Sequence, residues 1–148
     1  MNGAQLHLLT NHFPVIGTLL ITALLACGLY LRNETVIKIS LGFFIFIAVI
    51  SLPAYFSGEE AEEAVEHLAG VSHHNIHEHE EASLFAIIAM EVLGVLAMAA
   101  LLFKNNFKIL VRVTAVVSLI VLALMFRSAW LGGKIMHAET QEKVELEK

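Results

Sequence analysis

Apolar and polar residues fall along this chain in long blocks. Residues 13–31 carry no charge, residues 36–56 carry only Lys38, residues 82–103 only Glu91, and residues 109–131 only Arg112 and Arg127. At 1.5 Å per helical residue, each block is long enough to cross a hydrocarbon core about 30 Å thick. Arg32, Asn33 and Glu34 end the first block, and Pro53, Ser57 and Gly58 mark where the second frays or kinks. Lys104, Asn105, Asn106, Phe107 and Lys108 form a short polar turn, and Trp130, Gly132 and Gly133 close the fourth. Short connections between successive spans predict one all-α domain, an antiparallel up-down-up-down four-helix transmembrane bundle. Residues 57–81 form a Glu/His-rich helical extension between spans two and three, and residues 134–148 form a polar tail.

Composition supports this and removes other classes. Of 148 residues, 57% are hydrophobic and 16% charged, which leaves little chain for a soluble module beside the lipid-contacting spans. Arg32, Lys38, Lys104, Lys108 and Arg112 gather at one end of the bundle, whereas the 57–81 loop has neither Lys nor Arg. The positive-inside rule then puts the basic turns in the cytoplasm and both termini and the loop on the outward side of the membrane. Residues 1–10 lack the basic start and cleavage site of a secretory signal, so the first span reads as a retained anchor. Cys27 stands alone, which excludes an intramolecular disulfide, a paired-cysteine zinc site and CxxCH haem attachment; it reads as a small core residue. Nothing resembles a nucleophile motif, a phosphate loop, a nicotinamide fingerprint or a nucleic-acid module. An electron-transfer or binding subunit is expected rather than an enzyme, either alone or as a homo-oligomer.

Histidine is the unusual component. All eight, His7, His12, His67, His73, His74, His77, His79 and His137, map to the outward end, together with eight of the fourteen Glu, those between Glu59 and Glu81. Each could be part of a solvated polar rim. The run 73–81 is denser than a rim requires. If Ser72 caps a helix there, His73, His77 and Glu80 or Glu81 share one face, at the four-residue spacing that lets one helix give two imidazoles to one metal ion. Glu63 and His67 repeat the spacing in the acidic stretch before it, a short amphipathic surface helix. His79 points away, toward the stripe of Ser83, Ala86 and Met90. Glu63, His67, His73, His77, His79 and Glu80 are therefore the candidate ligands for a zinc, copper or iron ion, which imidazole and carboxylate do not discriminate.

His12 can be read in two ways. Asn11 as an N-cap and Pro14 in the first turn would put it at the mouth of the bundle. A helix starting near Leu6 would sink it about 9 Å, a depth suited to an axial haem ligand. Glu91 lies inside the third span and needs a partner there; Arg127, near the outward end of the fourth, is the candidate for a buried pair, with water, Ser51, Tyr55 or a cofactor as alternatives. A faint internal echo also appears. Residues 54–58, Ala-Tyr-Phe-Ser-Gly, close span two much as residues 129–133, Ala-Trp-Leu-Gly-Gly, close span four, and histidines precede spans one and three. This fits a repeated two-helix unit or a chance match of small and aromatic interface residues.

The stretch from His7 to Pro14, the turn from Leu52 to Glu59 and the closing Trp130-Leu131-Gly132-Gly133-Lys134 resemble a bacterial family of predicted four-span membrane proteins of unknown function. The resemblance covers nearly the whole bundle. In that family a His-Phe-Pro opening of span one, a histidine opening span three and a Gly-Gly exit from span four recur, and some relatives are fused to c-type cytochrome domains. The resemblance implies membrane electron transfer with haem b. By position, His12 matches the opening motif and His79 the histidine of span three. The leading expectation is thus a haem-binding redox subunit with His12 and His79 as axial ligands, Arg127 near the propionates, and His7 and His137 as further candidates. The non-haem metal site is the second expectation. A non-catalytic subunit that docks a c-type cytochrome or another partner on its acidic rim is the third.

Overall fold

The computed structural model describes residues 3–68 and 71–136. Six α-helices follow one another: α1 (Gly3–Thr10), α2 (His12–Tyr30), α3 (Glu34–Phe56), α4 (Gly58–Val65), α5 (His73–Leu102) and α6 (Phe107–Met136), with a 3₁₀ turn at Lys104–Asn106 before the last. No strand occurs among the described residues. The long helices are those the apolar blocks predict, and four helical stretches are long and apolar enough to cross a membrane. They form an antiparallel bundle in which α2 packs on α3, α3 on α5, α5 on α6 and α6 back on α2.

The interior differs from a soluble core. Thr18, Ser40, Ser51, Thr114 and Ser118 are buried, alongside Leu25, Leu41, Phe44, Met90, Leu93 and Val121. Each of these hydroxyls donates to a carbonyl three or four residues back on its own helix, for instance Thr18 to Pro14 at 2.6 Å and Thr114 to Leu110 at 2.8 Å. A buried hydroxyl satisfied within its own helix costs the bundle little. The exterior carries the large apolar side chains: Phe43, Phe46, Val49, Phe85, Val95, Val116 and Leu119 are all about half exposed or more. Small and hydroxyl residues inside and bulky hydrocarbon outside suit helices that meet one another through close contact and meet lipid on the rim. Cys27 belongs to that rim and not to the core, being exposed one residue before buried Gly28.

Local sequence explains the turns. After α2 the chain ends in a Schellman arrangement: Asn33 N–H donates to Gly28 O at 2.9 Å and Arg32 N–H to Leu29 O at 3.2 Å. Arg32 takes the left-handed conformation (φ 51°) that glycine more often supplies. Asn33 then caps α3, its Oδ1 accepting from Thr35 N and Val36 N at 3.0 and 3.2 Å. At the other end Asn11 caps nothing. It has helical φ and ψ between α1 and α2, and the helical path starts at Gly3, which places Pro14 well inside it. Pro53 lies inside α3, and the helix yields four residues later at Ser57.

The echo between the two halves is a structural repeat. Along α2 the buried positions are Pro14, Thr18, Ile21, Thr22, Leu25 and Gly28; seventy-two positions later on α5, Ala86, Met90, Leu93, Gly94, Ala97 and Ala100 are buried. On α3 six of the eight buried residues, Ile37, Ser40, Phe44, Ile47, Ser51 and Ala54, correspond, seventy-four positions later, to buried Val111, Thr114, Ser118, Val121, Met125 and Ser128 on α6, while Leu41 and Ala48 correspond to half-buried Ala115 and Leu122. Ser40 and Thr114 even make the same back-bond, to Val36 O and Leu110 O. The α2–α3 hairpin and the α5–α6 hairpin are two copies of one unit, packed so that α2 and α5 run in the same direction at opposite corners. In this register Ala54 corresponds to Ser128 and Gly58 to Gly132. The sequence match of 54–58 with 129–133 is out of step by one residue.

Candidate functional site

The repeat brings two histidines into equivalent roles. His7, on α1, places its Nδ1 2.8 Å from the carbonyl oxygen of Ala54 near the end of α3. His79, in the second turn of α5, places its Nδ1 3.0 Å from the carbonyl oxygen of Ser128 on α6. A carbonyl only accepts, so in each neutral ring Nδ1 carries the hydrogen and donates it. The Nε2 of each ring then holds the free lone pair. This is how a protein orients an imidazole that is to bind a metal: one ring nitrogen is tied to a backbone oxygen, which fixes the tautomer and leaves the other basic. Both histidines are half-buried, and they lie close enough to interact electrostatically with each other. They share the end of the bundle that bears the acidic loop.

Glycine shapes the second of these contacts. A Cβ on Gly132 would stand 3.0 Å from Cε1 and 3.2 Å from Nδ1 of His79, so the imidazole lies against the space that glycine leaves open. The same atom on Gly58 would stand 3.7 Å from the His7 ring. On the helical face of His7, one turn further on, Asn11 Oδ1 is buried and has no hydrogen-bond partner among the described residues.

The remaining histidines do not converge. His67, His73, His74 and His77 are exposed. His74 Nε2 lies 3.7 Å from Glu78, His77 lies 3.5 Å from Glu80 and 3.6 Å from Glu81, and His67 lies 3.2 Å from its neighbour Glu66. These are local pairs along a solvated helix, worth little in water. Glu63 is exposed as well. Among the described residues no three His, Cys or Glu side chains come together as a metal site would require, so the six candidate ligands of the loop are not one centre. His73 and His77 do share a face with Glu80 and Glu81, as helical spacing demands, but that face looks outward. His137 lies outside the described residues.

The acidic stretch adopts the expected short helix, α4, which stands beside α1 outside the apolar segments. Gly3 N–H donates to Glu60 at 2.7 Å, joining the first residue of α1 to α4. Glu62 turns inward enough that burial pushes its carboxyl above the usual range; Glu80, Glu66 and Glu59 push the same way and His73 opposes them. The start of α5 is therefore within the electrostatic reach of α4.

Three expected positions need correction. His12 is exposed and points away from the bundle interior: five residues after His7, it lies about 140° round the helix from it. An early helix start does sink His12, but the rotation turns it outward. Glu91 and Arg127 do not pair. Glu91 lies twelve residues, about 18 Å, along α5 from His79, whose ring reaches Ser128 beside Arg127, so their depths disagree. Arg127 is exposed, and Glu91 is half-buried with its Oε1 3.4 Å from Ser51 Oγ. That contact is long, because the Ser51 hydroxyl donates to Ala48 O at 2.7 Å.

No protein-family model matches the chain, and no curated protein or solved structure matches it. The site therefore rests on its own geometry. Its strongest member, His7, was the lesser candidate on sequence, yet a signal for it exists there. His7 precedes Pro14, and His79 precedes Ala86, by the same seven residues, so both histidines continue the buried stripe of their helix while His12 falls off it.

Proposed function

We propose that this chain is a small membrane subunit for electron transfer that holds a haem b at its histidine end, with His7 and His79 as the axial ligands. The observation that carries the reading is the matched pair of Nδ1 contacts to Ala54 O and Ser128 O, which leaves two Nε2 lone pairs at one end of the bundle. Two imidazoles are the protein ligand set of a six-coordinate haem, whereas a non-haem ion is ordinarily held by three or four protein ligands. A haem supplies reversible one-electron chemistry; the chain's part is to fix the imidazoles, raise their basicity through the carbonyl bonds and exclude water with the surrounding apolar side chains. Arg127, one residue before Ser128, is the cation nearest in sequence to the His79–Ser128 contact and is assigned to a propionate.

The test is an absorption spectrum, oxidised and reduced, of the full chain purified from cells supplied with haem. A Soret band with the sharp reduced bands of a low-spin bis-imidazole haem is expected. His7→Ala and His79→Ala should each abolish the low-spin spectrum, and His12→Ala should leave it unchanged. A haem-free protein, or loss of haem with His12→Ala alone, would overturn the assignment.

The exposed carboxylates favour a partner. Glu59, Glu63, Glu80 and Glu81 are exposed on α4 and the start of α5, a stretch with no Lys or Arg. A basic soluble redox protein such as a c-type cytochrome would be steered to that rim. With the rim and both termini outward in a bacterial inner membrane, the association should weaken steeply between low and physiological salt.

A further inference from the structure

The end of the bundle opposite the histidines carries a cavity that the electron-transfer reading does not use. It has a volume of about 810 Å³ and opens between the start of α3, the 3₁₀ turn and the start of α6. Lys38, Lys104, Lys108 and Arg112 line it together with one carboxylate, Glu34, and with Leu101, Phe107 and Ile109 as apolar wall. Lys38 is already held by Glu34 at 2.6 Å. Among the described residues Lys104, Lys108 and Arg112 have no ion pair. Lys108 and Arg112 stand four residues apart on α6 and Lys104 lies in the 3₁₀ turn before it, so three like charges line one cavity whose single carboxylate, Glu34, is engaged by Lys38. An anion placed in the cavity would relieve that repulsion.

A second feature adjoins it. Gly42, one helical turn beyond Lys38, opens a shallow apolar groove with Ile39, Phe43 and Phe46, about 360 Å³ in volume, and a Cβ there would meet nothing within 4 Å. Glu34, Lys38 and Gly42 succeed one another at four-residue intervals on a single face of α3. Basic crevice and hydrocarbon groove therefore lie end to end, at the level where a headgroup meets its acyl chain. We infer that this end of the protein is a binding site for an anionic phospholipid, with the phosphodiester in the crevice near Lys104, Lys108 and Arg112 and one acyl chain along Gly42. Basic pockets between membrane helices are suited to such headgroups. The shared chemistry with a free phosphate is the anion alone; only a lipid would also use the groove.

The experiment uses the full chain in an uncharged detergent and native mass spectrometry with phosphatidylglycerol, phosphatidylcholine and glycerol phosphate as probes. Saturable binding of phosphatidylglycerol is expected, with phosphatidylcholine and glycerol phosphate at least about tenfold weaker. Lys104→Gln, Lys108→Gln and Arg112→Gln should each lower the phosphatidylglycerol affinity about fivefold, and Arg32→Gln, at the same end but outside the crevice, should not. Gly42→Leu, which fills the groove, should weaken phosphatidylglycerol without changing glycerol phosphate. All five positions are at the surface or in open space, and circular dichroism checks that the helices are retained. Equal affinity for the two lipids, equal loss with Arg32→Gln, or glycerol phosphate binding as tightly as phosphatidylglycerol would each overturn the inference.

Discussion

The two hairpins of this molecule share a buried register, a back-bonded hydroxyl and a histidine tied to a carbonyl, yet they end differently. The first breaks at Ser57, and the chain continues as the separate acidic helix α4; the second runs unbroken through Gly132 to Met136. In the first half the carbonyl of Ala54 accepts both His7 and the Ser57 hydroxyl, at 2.8 and 3.2 Å. In the second the His79 ring is packed against the helix through the gap at Gly132. One architectural unit thus holds the same imidazole in two ways, by a helix end and by a glycine. The repeated features define what the unit is for, and the unrepeated ones, α4, Glu91 and the basic crevice, define what this chain adds.

The largest expected effect separates equivalent positions on α2 and α5. Gly94 lies where a Cβ would come 2.7 Å from the Cβ of Ala48, a backbone-anchored atom that cannot swing away, so α3 and α5 approach closely there. Its counterpart, Thr22, already carries a side chain, and its buried Oγ1 has no hydrogen-bond partner among the described residues. Gly94→Val should therefore cost about 3 kcal/mol of stability by overpacking. Thr22→Val, nearly equal in volume, should cost nothing and remove an unsatisfied hydroxyl. Thermal melting of the two variants in detergent measures the contrast; equal midpoints would mean that the repeat does not extend to how closely the helices pack.

Glu91 breaks the repeat in the opposite sense, since its counterpart on α2 is Leu19. A carboxyl within an apolar span, with only a 3.4 Å contact to Ser51, costs stability, so Glu91→Leu should stabilise the fold by about 1–3 kcal/mol, read as a higher melting midpoint. If electron transfer falls in the same variant, the cost is retained for proton or charge movement. If the midpoint falls instead, Glu91 is a structural partner and the asymmetry is one of packing.

Smaller still is the expected difference between the two histidine–carbonyl contacts, His7 with Ala54 and His79 with Ser128. Gly132→Ala pushes a methyl into the His79 ring and should weaken its bond to Ser128, a loss of about 1 kcal/mol, whereas Gly58→Ala has room beside His7 and should be neutral. The same pair sharpens the haem reading, because only Gly132→Ala should broaden or shift the spectrum. Identical behaviour would show that the imidazoles are seated alike despite the different helix ends.

How much of this was legible beforehand depends on the period each feature follows. The four spans follow from apolar blocks and charged breaks, which a membrane core about 30 Å thick reads almost directly. The inward stripe was legible too, had the histidines been placed in phase with it: His7 and His79 fit, and His12 does not. For His67, His73 and His77, helical spacing says which side chains share a face and not whether that face looks inward. Sequence spacing already puts Glu91 deeper than Arg127 and offers Ser51 as its alternative partner; the contact of His79 with Ser128 fixes how far apart the two charges lie. The one-residue slip in the Gly-Gly echo has the same origin, since composition aligned Ala54 with Ala129 where the carbonyl contact aligns it with Ser128.

The weakest prediction concerns the feature found in one half alone. Seventy-four positions after Glu62 the second hairpin has Met136, so Glu62 has no acidic counterpart. Glu62 is raised by burial first and by Glu80, Glu66 and Glu59 after it. A carboxyl whose folded-state affinity for its proton exceeds the unfolded one binds more protons when folded. Its stabilising contribution is complete below the ordinary value of 4.5 and is lost as pH rises through the raised folded value. Glu62→Gln removes that loss. The variant should melt like the parent at pH 4 and slightly above it at pH 7, with the increment shrinking as salt screens Glu80, Glu66 and Glu59. A variant that melts lower at pH 7 would mean that Glu62 is held by a cation or donor, and that the acidic helix is fastened to the first hairpin by more than the contact of Gly3 with Glu60.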